Sequence, residues 1–157
     1  SFHVTGVQTC ALPISLCVSA QMRQAFHTVR VSTNGPGLYE ITDQLGTVLK
    51  DAGEGLLTCF VRHTSASLLI QENADPDVQK DLQDFFAWLA TSGPRMRHTA
   101  EGPDDMPSHI RSALTQVSLG IPLRQGRLAL GTWQGLYLFE HRDAPHRREV
   151  TMHLIGE

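Results

Sequence analysis

The feature that most restricts the fold is a succession of short strand-like runs joined by turns. Each run is rich in alternating apolar residues, and glycine-containing turns at 34–37 and 125–126 separate several of them. The runs cover residues 25–31, 56–62, 66–71, 117–123, 127–130, 136–141 and 149–155. Short connections favour antiparallel pairing, because a parallel pair needs a long crossover. The sequence therefore predicts one α+β domain with a mostly antiparallel sheet or sandwich and two to three short helices.

One helix is predicted from a start signal at Asp75. Asp75 suits the N-cap, Pro76 the first helical position, and Asp77 the positive end of the helix dipole. The apolar residues that follow recur at helical spacing and predict a face buried in the core: Val78, Leu82, Phe85, Phe86 and Leu89.

Two further short helices are predicted from weaker signals. Thr42 suits an N-cap and Gly53 a C-terminal stop, with a shared apolar face at Leu45, Val48 and Leu49. Asp105 suits the N-cap of the third helix and Pro107 its first turn. The apolar side of this third helix is predicted at Ile110, Ala113 and Leu114.

The first residues look foreign to the rest of the chain. Residues 4–14 resemble the translation of a sequencing-library adapter, and Pro13 interrupts a mildly apolar run that has no cationic segment before it. We expect residues 1–21 to be a non-native extension and the native domain to cover 22–157. Cys59 is then the only native cysteine, which predicts core packing, no internal disulfide and a reducing compartment.

Composition and charge exclude several classes of function. The net charge is -3 and the isoelectric point is about 6.2, which argues against general nucleic-acid binding. No apolar run approaches the roughly 20 residues needed to span a bilayer. The chain also lacks a phosphate-binding loop ending in Lys-Ser or Lys-Thr, a paired CxxC zinc site, an HExxH helix and a GxSxG nucleophile elbow. We expect a cytoplasmic protein with small-molecule partners, and neither a nucleic acid nor a membrane among them.

The stretch from His98 to His109 concentrates groups that bind ions. Its two histidines accompany three carboxylates, Glu101, Asp104 and Asp105, in a loop that opens the third helix. The dipole and free amides of a helix start favour an anion or a metal-bound anion. The alternative is a capped helix after a polar loop, with two surface histidines.

Four other clusters lie at the ends of predicted strands. They are Arg62-His63-Thr64-Ser65-Ala66-Ser67, Glu72-Asn73-Ala74-Asp75, Gly131-Thr132-Trp133-Gln134-Gly135, and Glu140-His141-Arg142 with the later His146-Arg147-Arg148. Each has an ordinary interpretation as a turn, a helix cap or a solvated loop. Together, the histidines and carboxylates are suited to bind one divalent ion or to act as acid–base groups, and their spacing leaves both open.

The chain from Met22 to Glu157 resembles the YjbQ family, to which secondary thiamine-phosphate synthase activity is attributed. The clusters that carry the resemblance are 63–67, 72–76, 98 with 101–102 and 105–110, 131–135, 140–142, and the terminal Gly156-Glu157. The resemblance implies a compact α+β homotrimer with polar clusters near subunit boundaries. It also implies a reaction that joins a hydroxymethylpyrimidine diphosphate to a thiazole phosphate, giving thiamine phosphate and pyrophosphate.

For that implied reaction, each cluster receives a role. We expect catalytic groups at Glu101, Asp105, Trp133, Gln134 and Glu140. We expect substrate contacts from Thr64, Ser65, Asn73, Asp75, Arg142 and Arg148, with both arginines facing phosphate and Trp133 stacking on the pyrimidine. Metal ligands are expected at His63, His98 and His109, because three imidazoles suit zinc better than magnesium. Mg²⁺ held with the diphosphate by Glu101, Asp104 or Asp105 is the competing arrangement.

The chain departs from the family pattern beside His98. The family often has an aromatic residue two positions before this histidine and an aspartate directly after it, where this chain has Met96 and Thr99. Thr99 removes a carboxylate that would support the His98 ring. An alternative function is therefore a metal- or phosphate-ligand binding protein in which transferase activity is incidental.

Overall fold

The computed structural model describes residues 22–46, 48–49, 52–93 and 95–157. The stretch predicted as a non-native extension, residues 1–21, lies outside the described residues. Neither described helix has the length and apolar character needed to cross a membrane.

Eight strands form two antiparallel sheets, which confirms the α+β prediction. They are β1 Arg23–Thr33, β2 Gly37–Glu40, β3 Gly55–Val61, β4 Ala66–Glu72, β5 Ser118–Arg124, β6 Arg127–Leu128, β7 Gln134–Glu140 and β8 His146–Gly156. The larger sheet has the order β1-β8-β3-β5-β6 and the smaller one β2-β7-β4. Two helices, α1 Pro76–Leu89 and α2 Asp105–Leu114, lie between β4 and β5 in the chain.

The core consists of alternate residues from both sheets. Leu57, Cys59 and Met152 of the larger sheet and Leu68 and Leu138 of the smaller one are fully buried in one apolar cluster. The predicted role of Cys59 as a packing residue is confirmed, and burial raises the pKa of its thiol to about 11.

Helix α1 starts as predicted but is not buried as predicted. Asp75 caps it by accepting a hydrogen bond from the Asp77 amide at 2.9 Å. No residue of the helix is fully buried, and Phe85 and Leu89 remain 51% and 44% exposed. The helix packs against the smaller sheet by a narrow strip, in which the Phe86 and Phe139 rings meet edge to face at 5.4 Å. The predicted buried face is therefore wrong at Phe85 and Leu89, whereas Val78, Leu82 and Phe86 are half-buried.

Helix α2 is attached to the sheet by hydrogen bonds rather than by the predicted apolar side. Ser108 donates to the carbonyl of His141 at 2.7 Å, and Ser112 donates to that of Ala66 at 3.1 Å. Ile110 is half-buried, but Ala113 and Leu114 are exposed, so the predicted apolar side is wrong at those two positions. The helix begins at Asp105, and Asp104 rather than Asp105 occupies the N-cap position.

Of the helix predicted from Thr42 to Gly53, the described residues form one 3₁₀ turn, Thr42–Leu45, and residues 47, 50 and 51 lie outside the described part of the chain. Thr42 does not cap it. Its hydroxyl donates to Glu40 at 2.9 Å and accepts from the Leu136 amide at 2.9 Å. The side chain that would cap a helix therefore links two strands of the smaller sheet instead.

Candidate metal centre

Three side chains meet where α2 begins. Asp105 and His109 are four residues apart on α2 and therefore share one face of the helix, and the preceding loop places His98 beside them. Asp105 Oδ2 lies 2.7 Å from His98 Nε2 and 3.3 Å from His109 Nε2. Ligand atoms of the three residues all lie within 4.8 Å of one another. This is the arrangement required to share one metal ion.

The second nitrogen of His109 fixes which ring atom faces Asp105. His109 Nδ1 lies 3.0 Å from the carbonyl oxygen of Thr64, and a carbonyl only accepts, so Nδ1 carries a proton. In the neutral ring, Nε2 therefore presents its lone pair to Asp105 Oδ2. Two lone pairs at that distance need a proton or a metal cation between them. A histidine whose outer N–H is held by a backbone carbonyl is typical of metal ligands.

Arg142 holds the other oxygen of the Asp105 carboxylate. Its guanidinium pairs with Asp105 Oδ1 through Nη1, with Asp104 Oδ2 through Nε at 2.8 Å, and with the carbonyl of Glu101 through Nη2 at 2.9 Å. The hydrogen bond that Arg142 donates to Asp104 outweighs partial burial and raises the pKa of Arg142. Arg142 therefore fixes the acidic loop around Asp105, which is itself 1% exposed.

The acidic loop requires glycine at position 102. Gly102 has φ +107°, in the left-handed region, and a Cβ there would lie 3.2 Å from Asp104 Oδ1. The Glu101 carboxylate next to it is 67% exposed and 3.8 Å from Arg142. Glu101, a predicted catalytic group, thus lies at the rim of the site, and its backbone carbonyl makes the closer contact.

The donor set fits zinc better than magnesium. Ligands on a tetrahedral zinc lie about 2.0–2.1 Å from the ion and so about 3.3 Å apart, close to the His109–Asp105 separation. The His98–Asp105 separation is that of a hydrogen bond and needs a small widening. The His98 and His109 side chains are 45% and 31% exposed, so an ion bound by them would be within reach of solvent. Three protein ligands with an open fourth position is the pattern of a catalytic zinc site.

The predicted third histidine, His63, does not belong to this group. Its Nε2 accepts a hydrogen bond from the amide of Glu149 at 3.1 Å. Burial, followed by the nearby Arg148 charge, lowers the pKa of His63. The structure thus brings together two of the three predicted ligands and supplies Asp105, predicted as a catalytic group, as the third.

Glu140 and Arg148 form a buried ion pair close to the centre. Arg148 donates to both oxygens of Glu140, at 2.7 and 2.6 Å, and to Ser65 Oγ at 3.0 Å. Thr33 donates to the same carboxylate at 2.8 Å. The guanidinium predicted to anchor phosphate is thus engaged within the protein, as Arg142 is. Thr64, a predicted substrate contact, lies near the same centre, where its backbone carbonyl faces His109 Nδ1.

A second buried group, which sequence reasoning did not include among the site residues, is His141. Its Nε2 lies 2.9 Å from Ser67 Oγ, and Thr115 donates to the same hydroxyl at 2.6 Å. His141 Nδ1 is buried without a partner. Burial, with help from Arg111, lowers the pKa of His141 to about 3. The signal in the sequence was its position between Glu140 and Arg142 at a strand end.

The remaining predicted residues lie at the opposite end of the smaller sheet. Ala66 pairs with Glu140 and Glu72 pairs with Gln134, so these two ends are separated by about 20 Å of strand. Trp133 is 63% exposed, and its carbonyl accepts from the Asn73 amide at 3.0 Å. Gln134 accepts from the Gly131 amide through its side-chain oxygen, and Asp75 caps α1. Within one subunit, this group and the metal centre are separate.

Glycine at 135 is needed for close packing at that far end. A Cβ on Gly135 would lie 2.6 Å from Glu40 Oε1 and 3.2 Å from the Asn73 side chain. Glycine at this position therefore accommodates neighbouring side chains of the protein itself.

The sequence and fold both match known proteins. A family model described as UPF0047 protein YjbQ-like matches residues 27–157. A UPF0047 protein of Synechocystis is 54% identical over 142 residues, covering 88% of this chain and 97% of that protein. The UPF0047 protein YjbQ of Salmonella typhimurium is 43% identical over 133 residues, covering 83% and 96%.

Solved structures give the same result. The conserved hypothetical protein TT1486 from Thermus thermophilus aligns with a TM-score of 0.73 at 38% identity, covering 80% of this chain and 97% of that one. A YbjQ-like protein of unknown function from Sulfolobus solfataricus has the same fold, with a TM-score of 0.80 at 24% identity and coverage of 87% and 100%. This chain belongs to the YjbQ family of UPF0047 proteins.

Proposed function

We propose that the protein is metal-dependent and that His98, Asp105 and His109 bind a zinc-like ion. The observation that carries this proposal is the convergence of the three ligand atoms within 4.8 Å of one another, with His109 Nε2 turned to Asp105 Oδ2 while its Nδ1 faces the Thr64 carbonyl. Two imidazoles and one carboxylate favour a borderline-soft ion over Mg²⁺, which prefers oxygen ligands.

We further propose that the centre acts on small phosphorylated substrates in the cytoplasm. When bound, a metal with an open position supplies a Lewis acid for a phosphate oxygen. Asp105 is oriented for this by Arg142, and His109 by Thr64. The reaction implied by the family resemblance is the transfer of a hydroxymethylpyrimidine group from its diphosphate to a thiazole phosphate, with release of pyrophosphate.

Two observations favour a weak transferase or a binding protein over an efficient transferase. Arg142 and Arg148, the expected phosphate anchors, are both held by carboxylates. Trp133, expected to stack on the pyrimidine, lies at the far end of β7. A metal- or phosphate-ligand binding protein with incidental transferase activity therefore remains the second candidate.

We propose a homotrimer as the working assembly. The larger sheet leaves Phe26, Leu56 and Phe60 exposed, and the Phe26 ring stacks on His153 at 4.4 Å. Thr28, Thr58 and Thr151 lie on the same face, and the Arg30–Glu149 ion pair borders it. Exposed apolar residues grouped on one sheet face support subunit contact.

The test measures metal content and turnover in the same preparations. After chelation, the protein is titrated with Zn²⁺ against a chromophoric chelator, and we expect one ion per chain. His109→Ala should lose binding while His27→Ala, a change at an exposed strand histidine, should not. Equal binding by both variants would overturn the metal proposal.

Turnover of the two thiamine precursors that is lost in His109→Ala supports the transferase, and binding without turnover supports the second candidate.

A further inference from the structure

An open groove of about 450 Å³ lies directly beside the metal centre. It runs between the loop that follows α1 and the start of α2, and its walls include Gly93, Met96, Thr99, Pro103 and Met106. His98, one of the proposed metal ligands, is also part of the wall. A ligand in the groove would therefore lie against one of the proposed metal ligands.

The chemistry of this wall is apolar and uncharged apart from His98. Met96, Pro103 and Met106 are apolar residues of the wall, and Ser92 and Thr99 are its hydroxyl-bearing residues. Thioethers make favourable contacts with aromatic rings. None of the described wall residues is a lysine, arginine, aspartate or glutamate. A multiply charged phosphate group would lose hydration there without a cation to replace it.

We infer that the groove receives a flat, uncharged aromatic group of a ligand whose donor atom occupies the open position of the metal. This inference rests on the proposed metal centre and adds the class of ligand that the centre selects. The groove volume lies within the range of about 300–1,000 Å³ typical of small-molecule sites. Its position assigns the organic part of the ligand to the groove and the charged part to the metal.

The experiment compares two metal-binding probes that differ only in their organic part. The cobalt(II)-loaded protein is titrated with acetohydroxamate and with benzohydroxamate, and the change in the cobalt absorption bands reports binding. The ratio of the two Kd values is corrected by the corresponding ratio for free Co²⁺. Burial of the phenyl ring should make benzohydroxamate bind about 10-fold more tightly.

A pair of variants locates the effect. Met96→Gln keeps the length of the side chain but makes the groove polar, and it should lower the corrected preference to about 2-fold or less. Leu114→Gln makes the same kind of change at an exposed position of α2 and should leave the preference unchanged.

The metal centre and the groove assignment fail in different ways in this experiment. Failure to bind Co²⁺ would overturn the metal centre itself. Binding of Co²⁺ with equal corrected affinity for the two hydroxamates would overturn the groove assignment alone. A phenyl preference that survives Met96→Gln would also overturn it, because the ring would then lie elsewhere.

Discussion

His109 Nε2 and Asp105 Oδ2 face each other across 3.3 Å at the start of α2. The Thr64 carbonyl imposes that orientation by holding the proton on Nδ1, and Arg142 holds the far side of the carboxylate. Metal ligands must be deprotonated, so protons compete for these positions. We therefore expect metal affinity to rise with pH, because binding releases protons, and the chelator competition measurement repeated at several pH values checks this.

Arg142 should control metal affinity without touching the metal. Arg142→Lys keeps one positive charge but loses the planar fork that holds Asp104 and Asp105 together. Loss of such an outer partner lowers metal affinity by about 10–100-fold, and we expect a decrease of that size in the chelator competition measurement.

Arg111→Lys is the matched control for this prediction. Arg111 joins α2 to the end of α1 by donating to the carbonyls of Phe86 and Ala90. The substitution should therefore destabilise the fold while leaving zinc affinity unchanged. Equal losses of zinc affinity in both variants would show that Arg142 acts through stability alone.

The antiparallel fold could be predicted because its signals are local. Alternation and turn residues each act over a few positions, and Gln125-Gly126 adopts positive φ at both residues, as a tight turn requires. The burial of α1 could not be predicted, because Phe85 and Leu89 have helical spacing whether or not another layer covers them. The face of α2 that packs against the sheet could not be predicted either. It contains Ser108 and Ser112, which donate hydrogen bonds to backbone carbonyls, and a pattern of apolar residues gives no sign of such bonds.

The candidate site was predicted only in part, for a similar reason. His98, Asp105 and His109 lie within one sequence stretch, so their meeting depends mainly on local structure. The position of His63 depends on which strand lies beside it. That strand is β8, and the Glu149 amide of β8 donates a hydrogen bond to His63 Nε2. The separation of Trp133 from the histidines follows from the register of β4 and β7, which single-sequence spacing does not contain.

The oligomeric state gives a direct prediction for the exposed face of the larger sheet. Light scattering at micromolar concentration should give a particle of three 17.3 kDa chains. Phe60→Asp should dissociate it, because an unpaired charge would be buried in the contact. Trp133→Asp, at an exposed aromatic outside this face, should leave the trimer intact. A monomer mass for the unmodified protein would remove the homotrimer proposal.

Glu140 should stabilise the fold at neutral pH and lose that effect in acid. Burial alone raises the pKa of Glu140, but the hydrogen bonds that Arg148 and other donors make to it lower the pKa below its ordinary value of 4.5. Its stabilisation is therefore present above pH 4.5 and lost as the pH falls through the lower, folded-state pKa. Glu140→Gln should destabilise the protein by about 3–5 kcal/mol at pH 7 by leaving Arg148 unpaired.

The matched control for Glu140→Gln removes one partner of an exposed ion pair, Arg30–Glu149. Arg30 and Glu149 lie 3.0 Å apart with both side chains well exposed. Glu149→Gln should cost less than about 1 kcal/mol. Urea unfolding of the two variants at pH 7 measures the contrast, and similar losses would mean that the Glu140–Arg148 pair is not buried as described.

Burial of His141 as a neutral ring should lower the free energy of unfolding progressively as the pH falls below 6.5. Its folded pKa of about 3 lies below its ordinary 6.5, so in this interval the unfolded chain binds a proton that the folded chain does not. Stability is therefore fully present above pH 6.5 and falls by about 1.4 kcal/mol per pH unit toward pH 3, or about 2 kcal/mol between pH 8 and pH 5.

His141→Phe removes this titration, and the new ring would pack where the imidazole already meets Phe139 at 4.3 Å. Ser67 keeps its bond from Thr115, and the unpartnered Nδ1 disappears, so the variant should fold. Urea unfolding with a chelator present excludes any contribution from metal release at His98 and His109. The difference in stability between pH 8 and pH 5 should be about 2 kcal/mol smaller in His141→Phe than in the unmodified protein. His27→Phe, at an exposed strand position, should leave that difference unchanged, and an equal pH response in all three proteins would mean that His141 is protonated in the fold.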